Sequence, residues 1–331
     1  MAKLAIAISG GPRPAEIVEI LVRAEELGYE SGWVAEGHGG DQFAVAAAAA
    51  SKTERIKLGT AISSVFVRTP PTIAMAAATL DDISNGRFIL GLGSSHKVQV
   101  EPEHGVTYSK PIARTRETVD FISRLISSGA AGIEGETITI ENFDLWFNPV
   151  RNSVPIYLAG LFPKMVETVG EIADGIILTR STLSTAANIR ESLAKGAARV
   201  GRDPAGIAIT SLLPTSISEN RTAAFDAMRP GLAFYLGFFP RYNRLVSEHG
   251  FANEAANVAE AWKVGDFEEA SRRVSDEMLD ATGIVGTPAD ARAKIAAYRA
   301  SGIDLPILSP FARGPKARET FDYVLDACAG A

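Results

Sequence analysis

Short apolar runs and longer amphipathic stretches alternate along most of this chain. Eight runs of β-branched or aliphatic residues stand out: LAIAIS (4–9), SGWVAE (31–36), IKLGTAI (56–62), RFILGLG (87–93), PIYLAG (155–160), GIILT (175–179), IAITSLL (207–213) and DLPILSP (304–310). Helix-like segments fall between and after them, at 14–27, 41–51, 71–83, 112–128, 163–173, 184–200, 288–300 and 315–328. Pro163 follows a loop, and Thr287-Pro288-Ala289-Asp290 offers a capping threonine with proline at the first helical position. Gly28 and Gly302 suit left-handed helix exits.

Strands alternating with helices imply parallel neighbours, because a parallel pair needs a crossover. Closure of eight such units into an α/β, (β/α)8 TIM barrel hides both sheet edges and fits residues 1–331 as a single domain. An open, doubly wound sheet is the rival and expects fewer strands. Two segments interrupt the alternation. GIEGETITIEN (132–142) has the period of a small hairpin, and residues 214–282 read as a helical insertion that includes the greasy GLAFYLGFFPRY (231–242). Barrel chemistry sits at the C-terminal ends of the strands, so an insertion after strand seven is expected over that mouth. It serves there as a substrate lid or as a packing surface.

Composition narrows the function classes. The net charge of −6 argues against a nucleic-acid binder, which would show a basic face. The single cysteine, Cys328, excludes an internal disulfide framework. MAKLAIAIS has too short an apolar run for a signal peptide, and no run approaches a membrane span, so the expectation is a soluble, cytoplasmic protein. The four histidines lack metal-ligand spacing, and no metal is expected.

The candidate chemistry lies at strand ends. Strand two runs into Glu36-Gly37-His38-Gly39-Gly40-Asp41, a carboxylate and an imidazole beside permissive backbone. Locally, Glu36 could instead salt-bridge and Asp41 cap the next helix. Strand three carries Ser63 and Ser64 between apolar residues and ends on Arg68. Strand four ends GLGSSHK (91–97), whose Gly91 and Gly93 open a G-x-G without the following helix signal, so a dinucleotide fold is rejected. Strand five ends Ala159-Gly160 ahead of Pro163, Lys164 and Met165, where free helix amides and a lysine could meet an anion.

Three stretches together, LGTAISSVFVRTPPTIAMAAATLDDISNGRFILGLGSS, LAGLFPKMVETVGEIADGIIL and GTPADARAKIAAYRASGID, resemble the bacterial-luciferase-like superfamily of flavin and deazaflavin oxidoreductases. The resemblance covers about residues 4–310 apart from the insertion. It implies a barrel, commonly a homodimer, holding coenzyme F420 or FMN at the C-terminal mouth. In the deazaflavin branch the third strand carries a bulge with a non-prolyl cis peptide, which the match places at Ser64–Val65. Glu36, Ser63, Ser64, Val65, Gly91, Gly93 and Ser94 would surround the ring. Ala159, Gly160, Pro163, Lys164 and Met165 would hold the phosphate tail, with Arg68, Lys97 and Arg180 as further cations for its acidic end. Glu36-Gly37 and Ser94-Ser95 depart from the sugar-phosphate dehydrogenases of this branch, so the methylene-tetrahydromethanopterin reductase-like members fit better. The expected activity is hydride transfer between coenzyme F420 and a small organic substrate, with His38 or Glu36 moving the proton. An FMN-dependent monooxygenase and a non-catalytic cofactor-binding protein are the alternatives.

Overall fold

A computed structural model describes residues 3–331. In chain order its elements are β1 (Ala5–Ile8), α1 (Pro14–Glu26), β2 (Ser31–Val34), α2 (Gln42–Ala50), β3 (Lys57–Thr60), β4 (Ser63–Ser64), α3 (Pro70–Ile83), β5 (Phe88–Gly93), α4 (Lys97–His104) and α5 (Pro111–Ser128). There follow β6 (Ala130–Glu134), β7 (Thr139–Asp144), β8 (Ile156–Ala159), α6 (Pro163–Ile172), β9 (Gly175–Thr179), α7 (Thr185–Arg199) and β10 (Ala208–Ile217). The chain continues through α8 (Arg221–Phe238), α9 (Pro240–Val246), α10 (Ala252–Lys263), α11 (Phe267–Arg272) and α12 (Asp276–Thr282). It ends with β11 (Ile284–Gly286), α13 (Pro288–Ala300), β12 (Leu305–Pro310) and α14 (Ala317–Cys328).

The parallel order β1-β2-β3-β5-β8-β9-β10-β12 returns to β1, which closes an eight-stranded barrel. All eight expected strands are there, and β6 and β7 form the expected antiparallel hairpin. Apolar side chains fill both sides of the barrel wall. Ala5, Ala7, Trp33, Ile89, Ile177 and Ile307 occupy the interior, and a much larger cluster lies between strands and helices. Caps form where the sequence places them: Thr287 and Asp290 make a reciprocal capping box on α13, and Asp41 accepts from the Ala44 amide on α2.

Three boundaries differ from the sequence reading. β10 runs to Ile217 rather than 213, because Thr215–Ile217 pair with β11 while Thr210–Thr215 pair with β12, so the insertion begins only at Ser218. A helix, α4, does follow strand four at once, despite Pro102 in its interior. The non-prolyl cis peptide is Ala61–Ile62, not Ser64–Val65. Pairing shows why the irregularity falls earlier: Gly59 faces Ile89 and Ser63 faces Leu92, four steps on one strand against three on its partner. One extra residue is therefore absorbed between Thr60 and Ser63, a β-bulge ahead of the serine pair.

The insertion carries its own apolar cluster, including Phe225, Met228, Leu232, Val258 and Met278. It meets the barrel through aromatic and cation–π contacts with loops at the C-terminal strand ends. Phe239 and Tyr242 pack on His96, Arg244 lies 4.2 Å from the Phe162 ring centre, and Tyr235 packs on Phe311.

Candidate active site at the barrel mouth

The bulge brings the third strand's serines against the end of β2. Glu36 Oε2 accepts from Ser63 Oγ and from the Ser64 amide, each at 3.3 Å, while Oε1 pairs with Arg68 Nε at 2.7 Å. Arg68 also reaches Asp41 Oδ2 at 2.5 Å. Both local readings of the sequence are thus realised: Glu36 salt-bridges, and Asp41 caps a helix. Burial works against ionisation of Asp41, yet the Ala44 amide and Arg68 hold its carboxyl below the usual range. Arg68, expected as a cation for the cofactor's acidic end, has its charge paired with two carboxylates here.

A small cavity of about 40 Å³ opens beside this network, walled by Glu36, His38, Ile62, Ser64, Ser95, Gln99, Glu103 and His104. His38 Nε2 lies 3.4 Å from Glu103 Oε2, and the imidazole is well exposed. Sequence reasoning found Glu36, His38 and Ser64 but missed Ile62, Gln99, Glu103 and His104. The signal was there: Gln99 and Glu103 are four apart on α4 and share a helix face, which is invisible if 97–104 is read as loop.

The other sequence candidates divide. Ser94 is buried and its hydroxyl accepts from Tyr108 at 3.1 Å. Gly93 backs the bulge: a Cβ there would come within 3.1 Å of both Ile62 and Ala159, so strands three, four and five meet at this point. Gly91 serves the wall instead. A Cβ on it would lie 1.8 Å from the Thr60 carbonyl oxygen, so glycine is required where the bulge presses on β5. Val65 is fully buried in the outer core, its carbonyl held by Arg114 Nε at 2.7 Å, and its side chain belongs to packing. Gly160 is buried, whereas Pro163 and Lys164 are exposed at the start of α6, which has no side-chain cap. Lys97 sits 3.7 Å from Glu101 on its own helix.

Above β5, His96 packs between Phe239 and Tyr242, at ring-centre distances of 4.7 and 4.9 Å. Burial, with Arg241 adding repulsion, pushes its pKa down to about 4, so the ring is neutral and part of an aromatic cover. Across the mouth, between the ends of β9, β10 and β12, lies a second cavity of about 420 Å³ that contains Arg180, Phe311, Arg313 and Lys316.

Comparison with known proteins agrees with this architecture. The family model described as luciferase-like monooxygenase matches residues 2–305. A Mycobacterium tuberculosis protein, provisionally named a coenzyme F420-dependent oxidoreductase, is 32% identical, covering 91% of this chain and 92% of its own. A 5,10-methylenetetrahydromethanopterin reductase of Archaeoglobus fulgidus is 29% identical over 91% of both chains. Among solved structures, the coenzyme F420-dependent tetrahydromethanopterin reductase of Methanopyrus kandleri superposes with a TM-score of 0.86 at 25% identity, over 98% of each chain. By sequence match and by fold, this chain belongs to the luciferase-like monooxygenase family.

Proposed function

We propose that this protein is a coenzyme F420-dependent oxidoreductase that moves a hydride between the deazaflavin and a small organic substrate. The observation that carries the reading is the bulge between Thr60 and Ser63, which sets Ile62 and Ser64 into the wall of the mouth cavity beside Glu36. The names of the mycobacterial and archaeal relatives support the choice of cofactor.

The residues suit such a group. Glu36, Ser63 and the Ser64 amide offer polar partners to a ring edge, Gly93 and Ala159 leave a flat wall, and Lys164 with the uncapped start of α6 suits a phosphate. The space is smaller than the residues require. About 40 Å³ falls far short of the roughly 300 Å³ of a small ligand pocket, so loading requires this part of the mouth to open.

When bound, the deazaflavin supplies two-electron hydride chemistry and disfavours reaction with oxygen. The chain supplies position and protons. Arg68 neutralises Glu36 and Asp41 and so fixes the strand-two and strand-three ends relative to each other. That role makes Glu36 a positioning group. His38, backed by Glu103 at 3.4 Å, holds the proton that must accompany hydride when a C=O or C=N bond is reduced. The cover of His96, Phe239 and Tyr242 shields the end of β5 from water. The chain fits the methylene-tetrahydromethanopterin reductase-like branch better than the sugar-phosphate dehydrogenases, and the protein works as a homodimer.

Parallel fluorescence titrations of the apo-protein with coenzyme F420 and with FMN test the reading. Tighter binding of F420, with slow oxidation of the reduced complex in air, is expected. Tighter FMN binding with rapid oxygen consumption would instead make the protein a monooxygenase. Binding without turnover of any acceptor would make it a carrier.

A further inference from the structure

The larger cavity is lined by a buried cation that has no carboxylate partner among the described residues. Arg180 follows β9 in a left-handed conformation (φ 51°), and only 5% of it is exposed. Its guanidinium stands 4.2 Å from the Tyr235 ring centre. The groups acting on its charge are Tyr235 and Tyr242, with no carboxylate among them. Arginine at such depth is ordinarily paired, because an unpaired buried charge forgoes its hydration with nothing in return.

The rest of the cavity repeats this imbalance. Arg313 and Lys316 also line it, and no aspartate or glutamate does. Three of the hydroxyls nearby are already committed: Thr215 Oγ1 donates to the Leu213 carbonyl, Ser216 Oγ to Ala224 and Thr320 Oγ1 to Lys316, while Ser218 Oγ accepts from the Asn220 amide and keeps its own hydrogen for a ligand. The groups left to meet a ligand are the three cations, the Ser218 hydroxyl and an apolar surface of Ala227, Met228, Leu232 and Phe311. A volume of about 420 Å³ lies within the range of small-molecule sites.

We infer that this cavity binds an organic anion, a carboxylate or phosphate carried on an apolar body, with Arg180 as its counter-ion. β9, β10 and β12 are the sixth, seventh and eighth strands of the barrel, and they stand across the ring from β2, β3 and β5. A molecule anchored by its anion at Arg180 therefore approaches the reaction centre from the side opposite Glu36 and Ser64. That placement makes it the substrate's binding group rather than part of the cofactor. Only this last step, calling the ligand a substrate, rests on the function proposed above. Phe311, which lines the cavity, would pack on the apolar body.

Calorimetric titration of the apo-protein with benzoate and with phenyl phosphate tests the site, with benzyl alcohol as the uncharged control. Both anions should bind and the alcohol should not, and the tighter of the two identifies the anion class. Arg180→Met should weaken anion binding about tenfold to a hundredfold, the loss of one charge-assisted contact, while leaving coenzyme F420 affinity unchanged. Arg180→Lys should recover part of the loss. If Arg180→Met does not fold, Arg313→Gln with Lys316→Gln decides the matter by the same titration: weaker anion binding supports the site and unchanged binding overturns it. Anions that bind no better than benzyl alcohol overturn the inference. Loss of F420 affinity in folded Arg180→Met also overturns it, since the cavity would then hold the cofactor's acidic tail. Should the wild-type protein bind no F420 at all, the proposed function fails while the anion titrations still stand or fall by themselves.

Discussion

Replacing Gly91 by alanine asks whether the bulge really presses on its neighbouring strand. The new Cβ would lie 1.8 Å from the Thr60 carbonyl oxygen, 2.9 Å from its carbon and 2.9 Å from Ile177 Cδ1. An ordinary contact needs about 3.5 Å, so the backbone at Thr60 must retreat by well over an ångström. Thr60 is not free to do so. Its hydroxyl donates to the Gly91 carbonyl at 2.8 Å and accepts from the Gly91 amide at 2.9 Å, inside the wall. Losing these two hydrogen bonds costs about 1–1.5 kcal/mol each, and overpacking adds about 1–3 kcal/mol. The expected destabilisation is about 3–6 kcal/mol, a large share of the 5–15 kcal/mol that typically holds a protein folded. Urea unfolding followed by circular dichroism measures it. Gly206→Ala is the control, because a Cβ there meets nothing within 4 Å. A Gly91→Ala protein within about 1 kcal/mol of wild type, beyond what the Gly206 control loses, would show that β3 and β5 are not held together as described.

Three further outcomes are expected. His96 titrates at about 4 when folded and near 6.5 when unfolded, so the unfolded chain binds the extra proton as pH falls. Stability is then full above about pH 6.5 and declines by about 3 kcal/mol toward pH 4, and His96→Phe should flatten that part of the urea-midpoint profile. Arg68→Met strips the counter-ion from Glu36 and Asp41 and should cost about 2 kcal/mol of stability as well as cofactor affinity; a variant as tight as wild type would remove Arg68 from the site. Lys164→Glu should weaken F420 binding most at low salt, because a screened attraction becomes a repulsion, and equal affinities at low salt would place the phosphate elsewhere.

The barrel was readable because its strands are dense in Val, Ile and Leu and are punctuated by glycine, proline and helix caps. What escaped has identifiable causes. β10 was cut short because Pro214, Thr215 and Ser216 look like a loop, although their partners on β11 and β12 keep them in the sheet. α4 was missed because KVQVEPEH is polar and contains a proline, and its side-chain pattern makes sense only against the mouth it faces. Losing α4 lost Glu103, the partner that gives His38 a place in the site. The bulge was assigned to the right strand but three residues late, since register depends on where the neighbouring strand stands. Arg180 could be named as a cation at a strand end, but its isolation from every carboxylate is a property of packing alone.

The insertion's separate apolar cluster bears on how such an enzyme can change over time. Phe225, Met228, Leu232 and Met278 cluster with Val285 of β11 and apart from the main wall cluster, and beyond that strand the two parts meet largely through aromatic and cationic contacts at the rim. Substitutions in one cluster should therefore add to those in the other with little coupling. Selection can rework α8 to α12, and with them the cavity's roof, without endangering the strands of the barrel wall. The barrel acts as an inherited chassis, and the insertion is the part a lineage can afford to rewrite.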